Sequence, residues 1–136
     1  MNYRPFLYLL AALVVLLAIF GAFRSRGIVN AGEEQAVILK LKLTSGQMGS
    51  NDERERIHVL EDHLADSIKR SSAGEFDGDE YGDGYCTIYM YGPSAEALFR
   101  AIQPVLTGYP APAGSYALKR YGKPGSRQDR IPLGAH

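Results

Sequence analysis

The sequence predicts an α+β domain in βαββαβ order, a four-stranded antiparallel sheet with two helices on one face, behind an N-terminal transmembrane helix. Three observations carry this. Gln35–Leu43 and Tyr85–Tyr91 alternate apolar and polar residues at period two, which marks half-buried strands. Between and after them lie two stretches with apolar residues at helical spacing, each opened by a serine. Before them, Phe6 to Phe23 runs without a single charge.

As a helix, residues 6–23 span about 27 Å, close to the ~30 Å hydrocarbon core of a bilayer. A cleaved signal peptide is the competing reading. The apolar run exceeds the usual ~7–15 residues, and Arg24 and Arg26 stand directly behind it, so an uncleaved anchor is favoured. The expected organisation is an anchor over 1–26, a tether over 27–34, the βαββαβ domain over 35–122 and a basic flexible tail over 123–136. Arg4 and the amino terminus weigh against Arg24, Arg26 and the more distant Lys40 and Lys42, a balance that leans toward a cytoplasmic C-terminal domain.

In the first strand Val37, Leu39, Leu41 and Leu43 share one face, with Ile38, Lys40 and Lys42 on the other. Ser50 then caps a helix, with Glu53 three residues on as the second half of a capping box. Ile57, Leu60, Leu64 and Ile68 supply its apolar stripe, and Lys69 and Arg70 suit its negative C-terminal end. The second strand is expected at Ser71–Phe76, joined by an acidic, glycine-rich connection to the third. Cys86, Ile88 and Met90 face inward there, leaving Tyr85, Thr87, Tyr89 and Tyr91 outward. Ser94 caps the second helix, which buries Leu98, Ala101, Ile102 and Val105 and is bent or ended by Pro104 near its last turn. Ser115–Tyr121 is the last strand, with Tyr116 and Leu118 expected inward.

This element order over residues 35–122 resembles the ferredoxin-like split βαβ domain. The runs "GEFDG…YG", "TIYMYGPSAEALFRAIQPVL" and "GSYALKRYG" also resemble small bacterial proteins of unassigned function. That likeness transfers no site residues; with a bacterial source, the expected anchor places the chain as a single-pass protein of the inner membrane. The fold itself hosts many functions.

Fifteen Lys and Arg balance fifteen Asp and Glu, but unevenly. Residues 71–98 carry Glu75, Asp77, Asp79, Glu80, Asp83 and Glu96 with no Lys or Arg, whereas 99–136 are basic. One cysteine, Cys86, excludes an internal disulfide framework and a thiol-rich metal site. Its place on an inward strand face makes it a buried core thiol.

The segment "DGDEYGDG" invites a calcium reading through Asp77, Asp79 and Asp83. Counting from Asp77, Gly82 falls at EF-hand position six, but Tyr81 stands at five and Ile88 at twelve, where carboxylates belong. His58 and His63 lie about 140° apart around the helix, so they cannot share a metal as an i, i+4 pair would. His58 and Asp62 are so spaced, which is a surface contact. No Ser/His/Asp arrangement, P-loop or dinucleotide glycine motif is present, and no cofactor or enzymatic activity is expected.

The strongest functional feature is the sheet face left open by the helices. Its expected members are Ile38, Lys40, Lys42, Tyr85, Thr87, Tyr89, Tyr91, Ala117, Lys119 and Tyr121. Of these, Lys40, Lys42, Tyr85, Tyr89, Tyr91, Lys119 and Tyr121 are the candidate partner-binding residues, since tyrosine offers apolar area with a polar tip. The third strand lacks the leading basic residue and aromatics of the RNP signature and follows a run of acids, so nucleic acid is not expected. The reading is a non-catalytic, membrane-anchored protein-binding domain of immunity or inhibitor type. The alternative is a ligand- or Ca²⁺-sensing domain using the acidic loop.

Overall fold

The computed structural model describes residues 32–134. The expected anchor, residues 6–23, lies outside them. Among the described residues no helix is long and apolar enough to cross a membrane.

The fold is α+β: β1 (Gln35–Lys42), α1 (Asn51–Ser71), β2 (Glu75–Gly82), β3 (Tyr85–Gly92), α2 (Ala95–Thr107), β4 (Tyr116–Arg120) and β5 (Gln128–Pro132). All pairings are antiparallel, in the order β2-β3-β1-β4-β5. Both helices cover one face. Ile57, Leu60, Leu64 and Ile68 of α1 and Ala95, Leu98 and Ile102 of α2 close over Val37, Leu39, Leu41, Cys86, Ile88, Met90 and Ala117. The period-two and helical stripes thus meet in one core, as their patterns require.

Helix ends follow local chemistry. Ser50 Oγ accepts from the Glu53 amide at 3.2 Å, and Ser94 Oγ from the Ala97 amide at 3.2 Å. Glu53 carries only half of a capping box, because its carboxylate turns to the preceding loop. It accepts from the Thr44 amide (2.8 Å), the Thr44 hydroxyl (2.9 Å) and the Ser45 amide (3.2 Å). At its other end α1 stops at Ser72, whose left-handed backbone (φ 52°) aims the Ala73 amide at the Ile68 carbonyl, 3.2 Å away.

Three expectations need correction. The second strand is Glu75–Gly82, not Ser71–Phe76, so most of the acidic stretch is strand and only Asp83-Gly84 turns. Both turn residues have positive φ, 54° and 77°, as an Asp-Gly hairpin demands. A bulge at Asp77 shifts the β2–β3 register between Phe76 and Gly78. The sheet has five strands rather than four, because Gln128–Pro132, read as part of the tail, pairs along β4. The phase of β4 is also opposite to expectation. Ala117 and Lys119 stand opposite Leu39 and Val37 on the helix side, while Tyr116 and Leu118 join Lys40 and Ile38 on the open face.

Candidate functional site

The register lays out the open face row by row. Tyr91, Ala36, Arg120 and Gln128 form one row; Tyr89, Ile38, Leu118 and Arg130 the next. Thr87, Lys40, Tyr116 and Pro132 follow, and then Tyr85 beside Lys42. On the β2 side these rows end in Glu75, Gly78, Glu80 and Gly82. Ile38 and Leu118 therefore make an apolar centre, ringed by four tyrosines and four cations.

The ring is tied together. Tyr85 and Tyr116 meet edge to face with centroids 6.2 Å apart. Lys42 lies 4.6 Å and Lys40 5.3 Å from the Tyr85 centroid, and Arg130 stacks 3.7 Å over Tyr116. Lys40 Nζ also donates to Thr87 Oγ1 at 2.8 Å, and Arg120 sits 5.9 Å over Tyr91. Towards β2, the Tyr89 hydroxyl donates to Glu80 Oε1. That bond, with burial, pushes the Tyr89 phenol up to about 12.

Five expected site residues, Lys40, Lys42, Tyr85, Tyr89 and Tyr91, share this face. Lys119 and Tyr121 do not. Lys119 Nζ reaches Glu96 Oε1 of α2 at 2.6 Å. The Tyr121 hydroxyl lies 2.6 Å from the same oxygen and 2.8 Å from Asp129 Oδ2. Their replacements on the open face are Tyr116, Arg120 and Arg130. An opposite phase for "SYALKR" would have found the first two; Arg130 carries no local signal.

A second cluster lies on the helix side, where α1 passes the edge strand β2. His58 and Glu61, three apart on one face of α1, meet Asp79 of β2, with one donor atom from each within 4.8 Å of the others. Burial and then the neighbouring Asp79 carboxylate push Glu61 up to about 7. Glu61 Oε1 and the Tyr81 hydroxyl are buried with no hydrogen-bond partner among the described residues. Cys86 Sγ lies 3.9 Å from Asp79 Oδ2, and burial pushes this thiol up to about 12. Of the acids expected to hold a cation, Asp79 belongs to this group; Asp77 sits in the bulge and Asp83 in the turn. The i, i+3 spacing of His58 and Glu61 was legible, but its partner required the β2 register.

A groove of about 590 Å³ between the helices is lined by Arg56, Val59, His63, Asp66, Val105 and Tyr109. No protein-family model, curated protein or solved structure matches this chain.

Proposed function

We propose that this chain is a non-catalytic, membrane-anchored binding protein whose open sheet face receives an acidic segment of a protein partner. The observation that carries the reading is the composition of that face: half-buried Leu118 beside the buried Ile38, within a ring of tyrosines and cations. Protein interfaces combine a desolvated aromatic centre with a polar rim in this way. Lys40, Lys42, Arg120 and Arg130 outnumber Glu75 and Glu80, so the face favours a negatively charged occupant. Protein is preferred over single-stranded nucleic acid because the rings are already capped. A stacking base would have to displace Arg130 from Tyr116 and Lys42 from Tyr85.

The strand order β2-β3-β1-β4 supports a ferredoxin-like core with β5 added at one edge. The uncharged run over residues 6–23 supports single-pass anchoring. An immunity or inhibitor-type protein of the bacterial inner membrane is the concrete form of this proposal.

The test is site-specific photo-crosslinking in intact cells, with the reactive residue at Gln128, exposed on the rim of the open face, and, as control, at Val59 in the inter-helix groove. One discrete protein adduct from Gln128, lost on Lys40→Glu with Arg130→Glu, is expected. A nuclease-sensitive adduct, equal adducts from both positions, or none would overturn the proposal.

A further inference from the structure

We propose that His58, Glu61 and Asp79 form a binding site for a divalent first-row metal ion of the zinc type, clamping α1 to the edge strand β2. This site is on the opposite side of the sheet from the proposed interface and does not depend on it.

The geometry comes first. Three different ligand side chains, an imidazole and two carboxylates, converge from two elements with their donor atoms within 4.8 Å of one another. An ion at ~2.1 Å from each donor needs neighbouring donors roughly 3.4 Å apart in a tetrahedron. His58 and Asp79 are both exposed, so closing the remaining distance takes only side-chain rotation.

A second observation is independent of that clustering. Glu61 is half-buried, but its Oε1 is buried without a hydrogen-bond partner among the described residues; it faces the Asp79 carboxylate, and the nearby Tyr81 hydroxyl is likewise left unpartnered. A buried, unsatisfied oxygen beside a like charge is costly. A cation bridging Glu61 and Asp79 removes both penalties at once.

The donor set also selects the ion. Ca²⁺ and Mg²⁺ prefer all-oxygen cages, whereas an imidazole beside carboxylates suits Zn²⁺ and its first-row neighbours. Three protein ligands leave at least one position for water, so the ion should exchange. The buried Cys86 thiol is occupied near Asp79 and is not needed as a ligand.

The experiment uses the full chain in detergent, stripped with a chelator and titrated with zinc chloride by calorimetry. Expected are one Zn²⁺ per chain, a rise in melting temperature with the ion, and shifted imidazole resonances for His58 but not His63. His58→Ala and Asp79→Asn should each weaken binding at least about tenfold, the lower bound set by outer-shell changes in known sites. Without metal, His58→Ala should melt with the unaltered chain and Asp79→Asn slightly above it, because the amide removes the like charge beside Glu61; His63→Ala should bind normally. The resonance shift needs no substitution, so it stands even if a variant folds poorly. No heat and no melting shift would overturn the site. Zinc affinity unchanged in His58→Ala and Asp79→Asn, or Ca²⁺ bound as tightly as Zn²⁺, would equally overturn the assignment.

Discussion

Leu39 of β1 and Ala117 of β4 stand directly opposite each other, both completely buried on the helix side of the sheet. That pairing commits alternate residues of β4 to opposite sides. Lys119 is drawn to Glu96 with its Nζ 5.7 Å from the Phe99 centroid, whereas Tyr116 turns away to meet Tyr85 and Arg130. Tyr116→Ala should therefore weaken capture of the crosslinked partner about 30-fold, as loss of a ~2 kcal/mol hot spot does. Lys119→Ala should leave capture unchanged and lower only the melting temperature, slightly. Equal losses from both variants would show that the two faces are not functionally distinct.

Glu53 is 5 % exposed and holds the loop before α1 through three hydrogen bonds. Burial raises its pKa, but the bonds from Thr44 and Ser45 outweigh this and leave it below its ordinary 4.5. Glu53→Ala strands those donors and should cost about 2–3 kcal/mol in urea unfolding; Glu53→Gln, which keeps one acceptor oxygen, about half. Because the folded-state pKa is the lower one, the unfolded chain binds more protons as the pH falls. The stabilisation is present in full above about 4.5 and is lost as the pH drops through the folded value. The acid limb of a stability–pH curve should be flatter in Glu53→Gln.

Gly92 closes β3 where the chain passes Ala73 and Gly74. A Cβ on Gly92 would lie 2.4 Å from the Ala73 carbonyl oxygen and 3.1 Å from the Gly74 Cα. Both neighbours are backbone and cannot rotate away. Gly92→Ala should cost at least about 3 kcal/mol, above the usual range for an added methyl in a core. Gly82→Ala, where a Cβ meets nothing within 4 Å and the backbone is not left-handed, is the control for the loss of glycine alone. Thermal melting of the two variants separates crowding from backbone preference.

Ile131 of β5 lies opposite Ala117 and packs against the core, half-buried. Ile131→Ala should cost about 1–2 kcal/mol, the lower part of the range for fully buried positions. A chain ending at Gly122 should lose more, since it also uncovers the β4 edge and removes the Asp129 partner of Tyr121. Wild-type stability in the shortened chain would show that β5 is a passive edge.

How much was legible follows from how far each signal reaches along the chain. In β1 and β3, apolar residues at period two name the buried face without help from elsewhere, and Lys40, Lys42, Tyr85, Tyr89 and Tyr91 fell on the open face as expected. Both helix starts were equally local, since Ser50 and Ser94 cap amides three residues away. The phase of β4 was not legible. Tyr116 and Leu118 are more apolar than Ala117 and Lys119, yet α2 lies over that side and the small Ala117 packs with Ala95 and Leu98 in the core.

The sequence by itself determined the α+β class, the helix caps and the alternation of the two central strands, because each depends on side chains within one turn or one pleat. Only the tertiary structure decided that Gln128–Pro132 is a strand. Its inward residues are Asp129 and Ile131, so it lacks an apolar period; the edge of β4 offers it a ladder, and Tyr121 and Arg127 satisfy Asp129. The same non-local pairing brings Arg130 onto Tyr116, and the β2 register brings Asp79 to His58 and Glu61. Residues so far apart in the chain share no periodic signal. Their juxtaposition exists only once the strands have found their partners.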